Sequence, residues 1–279
     1  MSLAYQNFSD LRAAAALLAK HRGARMLGGG TLLVRRVNEG DTSIDTYVRL
    51  RDPKLLDLDA TGETVRLGSG VTMSRIIREP ALAFLAPVAK VIGGPAVRAA
   101  ATVGGNLFAP SPYGDFGVAL LALDATISVE GTDGTHEFSA EAFFRARDGL
   151  PAGSIVTTVT FRRPAEGAFR YLKVSRVRPK GASVLSIAAV LSGAGGIVSA
   201  PRIAYGAMAA TPIRAHGVEN ALTGVALTVE TIERAVGTAA GETSPSTDAI
   251  ASQWYRKTVL PVHLRRLLLD TLPQGALPS

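Results

Sequence analysis

The 279-residue sequence contains no cysteine. This absence excludes disulfide bonds, a thiol nucleophile and any zinc or iron–sulfur site that depends on thiolate ligands. If the protein handles electrons, the carrier must therefore be an organic cofactor. The histidines are scattered without metal-ligand spacing, so we predict no metal site; they are His21, His136, His216 and His263.

Long apolar runs and targeting signals are also absent. No apolar run approaches the ~18 residues that are needed to cross a bilayer. The first residues lack the basic and apolar regions of a signal peptide. We therefore predict no membrane span and a cytoplasmic location. Hydrophobic residues nevertheless make up 47% of the chain and charged residues 19%, which is typical of a folded protein with a core.

The net charge of +7 allows two interpretations. The first is binding to a polyanion such as nucleic acid. The second is a basic face for an anionic ligand or an acidic protein partner. Basic residues occur mostly in ones and twos, and no nucleic-acid-binding module is recognisable. We favour the second interpretation and predict no nucleic-acid partner.

Two glycine-rich segments carry the strongest functional signal. The first is Leu27–Leu33 (LGGGTLL), and the second is Ala101–Leu107 (ATVGGNL), followed by Ser111, Gly114 and Asp115. Glycine permits unusual φ angles and close approach, so several backbone N–H groups can converge on one anion. Neither segment has the spacing of the Rossmann fingerprint or the P-loop. Two such cradles in one domain predict a diphosphate held from both sides, hence a dinucleotide.

The hydrophobic pattern changes near residues 163–167, where strands and helices cease to alternate. Before this point the pattern predicts helices at residues 9–21, with Ser9 as cap, and at 31–37, 72–78, 81–91, 118–122 and 138–145. It predicts strands at residues 24–27, 47–50, 55–58, 64–67, 126–129 and 155–161.

After this point three strand-like runs come first, at residues 169–177, 183–191 and 201–209. Helical segments follow at residues 211–222, 228–240 and 255–272. This order indicates an α+β domain with helices on one face of an antiparallel sheet. We therefore predict a first domain at residues 1–165 and a C-terminal domain at residues 166–279.

These motifs, taken in order, resemble the FAD-binding subunit of molybdenum hydroxylases. That family includes the medium subunit of aerobic carbon monoxide dehydrogenase and the flavin domain of xanthine dehydrogenase. The resemblance covers nearly the whole chain, and the second glycine segment is its most specific part. Its elements are Gly29-Gly30-Thr31, residues 102–107 with Ser111-Pro112 and Asp115, residues 120–125, residues 154–161, Tyr171-Leu172-Lys173, residues 254–257 and residues 264–268.

The resemblance implies a vanillyl-alcohol-oxidase-type (PCMH-like) FAD-binding domain in the first part of the chain. It implies a smaller C-terminal α+β domain with a three-stranded antiparallel sheet and helices. FAD would bind non-covalently, whereas molybdopterin and [2Fe–2S] clusters would lie on partner subunits only. The implied function is electron transfer, from iron–sulfur clusters on a small subunit that serves a large molybdenum subunit to an external acceptor. Such a chain needs no catalytic acid or base, and we predict none.

The resemblance also implies which residues contact FAD. In the first segment, backbone N–H groups would bind the pyrophosphate; its residues are Leu27, Gly28, Gly29, Gly30, Thr31, Leu32 and Leu33. In the second segment, four residues would embrace the diphosphate and the adenosine ribose: Ala101, Thr102, Gly105 and Asn106. Leu32 departs from the family, which often has an acidic or small polar residue there, and Pro110 is a second departure.

The remaining contacts are implied one by one. Phe108 and Ala109 would line the flavin, and Asp115, next to Gly114, would accept from a ribose hydroxyl because a carboxylate suits a diol. Ile155 or Val156 would pack near the adenine. Lys173 would lie near the isoalloxazine or the diphosphate, where a cation stabilises the reduced flavin.

Two alternatives to the electron-transfer function stay open. One is a stand-alone flavin oxidoreductase of the same fold with its own small-molecule substrate. The other is a non-catalytic protein that has lost FAD, for which Leu32 is the sole support. Other residues are interpreted as structural: Trp254 and Tyr255 as packing anchors between domains, and Arg145, Arg147 and Asp148 as a solvated face.

Overall fold

The computed structural model describes residues 3–177, 181–194 and 196–271. The chain forms two compact units. The first unit comprises residues 1–109 and 125–162, and the second comprises residues 110–124 and 163–279. The second unit therefore takes in a segment that the sequence pattern assigns to the first domain. A single boundary after residue 165 stays a prediction.

Helices and strands are numbered in chain order. The helices are α1 (Leu11–Lys20), α2 (Leu33–Asn38), α3 (Met73–Arg78), α4 (Ala86–Lys90), α5 (Pro95–Ala100), α6 (Val103–Leu107), α7 (Asp115–Ala122), α8 (Ala140–Ala146), α9 (His216–Leu222), α10 (Val229–Val236) and α11 (Gln253–Leu269). Short 3₁₀ helices span Pro53–Leu56, Pro80–Leu85 and Arg147–Gly149. The strands are β1 (Ala4–Phe8), β2 (Ala24–Met26), β3 (Thr46–Leu50), β4 (Leu58–Asp59), β5 (Thr64–Gly68), β6 (Thr126–Gly131), β7 (Gly134–Ser139), β8 (Ile155–Arg162), β9 (Phe169–Ser175), β10 (Ser183–Val190), β11 (Gly193–Ala194), β12 (Ile197–Val198), β13 (Arg202–Gly206) and β14 (Ile213–Arg214).

The first unit contains two sheets. A three-stranded parallel sheet has the order β1-β3-β2, and a five-stranded antiparallel sheet has the order β4-β5-β8-β6-β7. Helix α1 buries Ala14 and Ala15 in a cluster with Val48 of β3 and Ile155 of β8. This packing fixes the sheet that contains β2 and β3. The first glycine segment begins directly after β2.

The second unit is built on a four-stranded antiparallel sheet in the order β14-β13-β10-β9. The prediction of three strands was wrong, because residues 213–214 pair with β13 instead of starting a helix. Leu185 and Ile187 of β10 pack in one cluster with residues of α9, α10 and α11. Ser186, between them, points to the opposite face. There a Cβ placed on its neighbour Gly206 would lie 2.6 Å from Val118 of α7.

Helices therefore cover both faces of this sheet, not one as predicted. Every residue of α7 is buried, from Asp115 to Ala122. A helix that is buried on every side and largely apolar is typical of a protein core. The predicted helix at 118–122 is thus part of a central helix of the second unit, which begins at Asp115.

Several predicted bounds were wrong for local reasons. The first helix is capped by Asp10 and not Ser9, because the Asp10 carboxylate accepts from the N–H groups of Arg12 and Ala13. Residues 53–56 form a 3₁₀ helix in place of a strand, since Asp52 caps it and Pro53 fixes the first helical φ.

Other predicted elements are divided or differently bounded. The predicted helix at 81–91 is a 3₁₀ helix followed by α4, with a break at Leu82. The predicted helix at 138–145 is the end of β7 followed by α8, which Ser139 caps. The predicted last helix ends at Leu269 in the structure, and its final residue, Leu272, lies outside the described residues.

A buried arginine anchors α11 in the second unit. Arg256 is fully buried, and its Nη2 lies 2.9 Å from both carboxylate oxygens of Asp248. Its Nη1 donates to the Ala207 carbonyl at 3.2 Å. Asp248 itself retains 28% side-chain exposure. The pair is therefore asymmetric. Water can solvate the Asp248 carboxylate in part, whereas the buried Arg256 guanidinium has only its protein partners to stabilise its charge.

We expect Asp248→Asn to lower the free energy of unfolding by about 3 kcal/mol, because it leaves the buried guanidinium without an anion. Glu233→Gln is the matched control, because Glu233 pairs with Arg265 where both side chains are over two-fifths exposed. We expect that control to cost under about 1 kcal/mol. Urea unfolding of both variants measures the difference. Equal costs would contradict the account.

The same pair predicts a pH dependence. Burial alone would raise the pKa of Asp248, but the N–H groups of Ala251 and Ile250 and the Arg256 guanidinium together hold that pKa below its ordinary value. A depressed folded pKa contributes stability above the unfolded pKa of about 3.9, and this contribution is lost as pH falls through the folded value. The stability gap between wild type and Asp248→Asn should be constant from about pH 7 to 5 and shrink below about pH 4. A gap that persists at low pH would refute this.

Candidate functional site

The first glycine segment follows β2 directly, and most of its backbone donors are unpaired within the described residues. The N–H of Leu27 donates to Val48 of β3 at 2.7 Å. Among the described residues, the consecutive N–H groups of residues 28–32 have no hydrogen-bond partner. Gly30 has a φ of +72°, a conformation that favours glycine. A run of unpaired donors in a loop is the arrangement that binds a phosphate through backbone N–H groups.

The two glycine segments are in direct contact. A Cβ placed on Gly29 would lie 1.8 Å from the carbonyl oxygen of Ala100, at the end of α5. A Cβ placed on Gly28 would lie 3.0 Å from the hydroxyl of Thr102. The absence of a side chain at Gly29 therefore lets the two backbones meet, and its absence at Gly28 leaves room for the Thr102 hydroxyl. The structure brings the predicted site residues of both segments together, as a ligand held from two sides requires.

The second segment is a helix, which differs from the predicted loop. Thr102 caps α6, and its hydroxyl accepts from the N–H of Gly105 at 3.1 Å. The N–H groups of Val103 and Gly104 donate to Val71 and to Ser69, respectively. Most donors of this segment are thus used within the protein, and the open donors belong to the first segment.

Asn106 is held rigidly within α6. It is 8% exposed, and its Nδ2 donates to the Thr102 carbonyl at 2.9 Å. In the described part of the chain no donor reaches its Oδ1, so the amide presents an acceptor. An acceptor suits a hydroxyl and not a phosphate oxygen. The predicted contact of Asn106 with the adenosine ribose stays a prediction that this orientation supports.

A surface cavity of about 550 Å³ lies over the first segment. Its lining joins the glycine loop to one side of α2: Gly29, Gly30, Thr31, Val34, Arg35, Asn38 and Glu39. The volume is within the range of small-molecule and cofactor sites. Gly29, Gly30 and Thr31 therefore combine backbone donors without partners with an open surface cavity, whose lining includes no residue of the second glycine segment.

Arg49 of β3 holds the carbonyl groups where the first segment begins. Its guanidinium Nη1 donates to the carbonyl of Leu27 at 3.2 Å and also to that of Gly28. No carboxylate of the described residues pairs with Arg49. The sequence analysis missed this residue, because an arginine in the alternating pattern of a strand carries no signal of its contacts.

Arg147 has the same relation to the second segment. Its Nη1 donates to the carbonyls of Leu107 at 2.8 Å and Ala109 at 3.1 Å. The residue is 7% exposed, whereas the Asp148 carboxylate, 3.3 Å from its Nε, belongs to a side chain that is 82% exposed. Burial lowers the pKa of Arg147, although arginine stays charged. The interpretation of Arg147 as part of a solvated face was wrong, while Arg145 is 77% exposed.

Phe108 lies between the two carbonyls that Arg147 binds. Its ring packs edge-on against Phe143 of α8, with centroids 5.6 Å apart. Phe108 is nevertheless 46% exposed, whereas its neighbour Ala109 is 4% exposed. An exposed aromatic ring on a fixed backbone is available to stack on a planar ligand. The predicted flavin contact of Phe108 stays a prediction.

Asp115 and Lys173 form a buried ion pair in the second unit. Lys173 Nζ lies 2.7 Å from Asp115 Oδ2, and Ser183 Oγ donates to Asp115 Oδ1 at 2.8 Å. Gly114 starts α7 with a φ of +91° and places Asp115 at the first helical position. The Tyr171 pKa is raised well above 10.0 by burial and by the Asp115 charge, so the phenol stays neutral. The roles of Asp115 and Lys173 toward FAD stay predictions.

The last sequence-predicted residues divide between core and surface. Ile155 is 2% exposed and packs in the α1 cluster, and Val156 is 5% exposed, so an adenine contact by either stays a prediction. Trp254 is 72% exposed and Tyr255 is 44% exposed. Their interpretation as packing anchors between the domains stays a prediction.

The described ranges contain no group of acidic and histidine side chains that could hold a metal ion. Within these same ranges, no helix combines the length and the apolar character that spanning a bilayer requires.

Comparison with known proteins assigns both units. The model of the FAD binding domain in molybdopterin dehydrogenase matches residues 1–163, and that of the CO dehydrogenase flavoprotein C-terminal domain matches residues 170–271. The nicotinate dehydrogenase FAD-subunit of Eubacterium barkeri is 28% identical over 89% of this chain and 88% of its own. The carbon monoxide dehydrogenase medium chain of Afipia carboxidovorans is 27% identical over 95% of both.

A solved structure supports the same assignment. Carbon monoxide dehydrogenase from Hydrogenophaga pseudoflava matches with a TM-score of 0.88 and 26% identity, over 97% of both chains. The chain therefore belongs to the family of FAD-binding flavoproteins of molybdopterin dehydrogenases. The resemblance, the fold class, the oxidoreductase class and FAD as cofactor are confirmed. The contacts of single residues with FAD are not tested by these comparisons.

We expect Gly29→Ala to lower the thermal stability of the first unit and to abolish FAD binding. The added methyl would overlap the Ala100 carbonyl, and such overpacking costs about 1–3 kcal/mol. The control is Gly62→Ala in the turn between β4 and β5, where a Cβ meets nothing closer than 4.0 Å. Thermal unfolding and the flavin content of the purified variants measure both effects. Full flavin content in Gly29→Ala would contradict the assigned contact.

Proposed function

We propose that this chain is the FAD-binding electron-transfer subunit of a molybdenum hydroxylase-type complex. FAD would accept electrons from iron–sulfur clusters on a small subunit and release them to an external acceptor. A large subunit would carry the molybdenum cofactor. The observation that carries the proposal is the row of unpaired N–H groups at residues 28–32, backed by the second glycine segment.

The chain's own residues fit a non-covalent dinucleotide. The N–H groups of residues 28–32 would donate to the diphosphate, and Asn106 Oδ1 would accept from a ribose hydroxyl. Phe108 offers an exposed ring to the isoalloxazine. When bound, FAD supplies the one- and two-electron chemistry that no side chain of this protein can supply.

The names of the relatives support the proposal that this chain has partner subunits. Their printed names include a FAD-subunit and medium chains of dehydrogenases, and such names imply companion chains. The positive net charge of this chain suits an acidic partner surface. A cytoplasmic location stays a prediction from the sequence.

Absorption spectroscopy and ligand titration test the proposal. The purified chain, with FAD added, should show flavin bands at a 1:1 ratio and release FAD on denaturation. Riboflavin, which lacks the diphosphate, should bind at least about tenfold more weakly, because it cannot reach the N–H row. Equal affinity for both ligands would remove the diphosphate contact from the proposal.

Co-expression with candidate partner subunits completes the test. The proposal expects a stable complex in which the flavin is reduced only when the substrate of the large subunit is added. If the chain alone reduces its flavin with a small molecule, it is a stand-alone oxidoreductase. If it takes up no FAD even with partners present, the proposed function fails.

A further inference from the structure

Neither glycine segment contains a basic residue, although a diphosphate is doubly negative. Residues 27–33 and 101–109 carry no lysine or arginine. Of the cations nearest along the chain, Arg25 donates to the carbonyls of Arg22 and Ala24, and Arg98 donates to those of Lys90 and Gly93. Arg35 and Arg36 of α2 are each paired with a carboxylate. Arg35 pairs with Glu39 at 2.7 Å, and Arg36 pairs with Asp41 at 2.5 Å, both on the surface. These pairs contribute little net positive charge to the cavity.

Two other guanidinium groups meet the segments from within the first unit. Arg49 donates to the carbonyls of Leu27 and Gly28, and Arg147 donates to those of Leu107 and Ala109. Each arginine therefore binds two carbonyl groups at one end of a cofactor segment. A carbonyl oxygen that faces an anion would repel it, so fixing these oxygens on a cation removes the repulsion.

Neither guanidinium is neutralised by a buried carboxylate. Among the described residues no acidic side chain pairs with Arg49, and the Asp148 side chain beside Arg147 is 82% exposed. Burying a charge without a paired anion is costly, so a second anion or a dense set of acceptors is expected nearby. The positive field of Arg49 is thus available to a ligand on the segments, and that of Arg147 is offset only by an exposed, solvent-screened carboxylate.

We propose that Arg49 and Arg147 are positioning residues that orient the two cofactor segments and supply the positive potential for the diphosphate. This inference rests on the proposed function, because it takes FAD as the ligand. It goes beyond the family assignment, since neither residue belongs to the glycine motifs.

Charge-removing variants with matched controls test the inference. Arg49→Met and Arg147→Met each remove one positive charge at a segment. Arg51→Met and Arg145→Met remove the same charge from exposed positions two residues away. The readout is the dissociation constant for FAD and for riboflavin at fixed low ionic strength, with thermal unfolding to verify the fold. The wild-type protein is measured first. If the wild type does not bind FAD, that result contradicts the proposed function, whereas the inference about the arginines is judged only by comparing the variants with a wild type that binds.

The inference expects Arg49→Met and Arg147→Met to weaken FAD binding at least about tenfold, while each control stays within about twofold of wild type. Riboflavin affinity should change little in Arg49→Met, because riboflavin carries no phosphate. In Arg147→Met it should fall less than FAD affinity, because the segment that Arg147 holds is also predicted to line the flavin. Arg49→Lys should recover part of the FAD affinity, since it keeps the charge but loses one of the two hydrogen bonds.

Two results would overturn it. Equal FAD affinity in Arg49→Met and Arg51→Met would show that the Arg49 charge is not used. Parallel losses of FAD and riboflavin affinity, without recovery in Arg49→Lys, would show that the arginine maintains the fold only. If Arg147→Met fails to fold, Arg147→Gln, which removes the charge but keeps N–H donors for the two carbonyls, decides the same question for the second segment by the same comparison.

Discussion

The candidate site depends on one close approach between two backbones. Gly29 lies so near the Ala100 carbonyl that any side chain would overlap it. This contact joins the loop after β2 to the start of α6, although the two are distant in sequence. Because the two segments meet, the open N–H groups of residues 28–32 follow a glycine, Gly28, that lies against the Thr102 hydroxyl. Without the contact between Gly29 and Ala100, the first segment would be an ordinary turn and the second an ordinary helix cap.

The electrostatics of the molecule divide its cations into two kinds. Arg256 and Lys173 are each neutralised by a buried or half-buried carboxylate, so they stabilise the second unit and present little field. Arg49 and Arg147 instead donate to carbonyl oxygens; no carboxylate of the described residues pairs with Arg49, and the carboxylate beside Arg147, that of Asp148, is on an exposed side chain. A positive net charge therefore says less about ligand binding than the identity of the acceptor that each cation contacts.

The sequence identified the two glycine segments that meet in the structure, whereas it misplaced several elements around them. Glycine motifs can be recognised because the residues that lack side chains are themselves the signal, and Gly29 and Gly30 are examples. Strand β14 and helix α7 were harder to predict because tertiary packing outweighs local propensity in short elements. The contacts of Arg49 and Arg147 could not be predicted, since they depend on residues far away in sequence.

The path of the chain after Ala109 limits how the protein can be divided. Residues 110–124 enter the second unit, form the fully buried helix α7 and return at Ala125. A fragment that ends at residue 162 would keep this apolar helix but lose the sheet that covers it, and the complementary fragment would have an uncovered sheet face. The two units are thus not independent domains that can be separated by one cut in the chain. Recombination or proteolytic separation at the apparent linker would yield two aggregation-prone pieces.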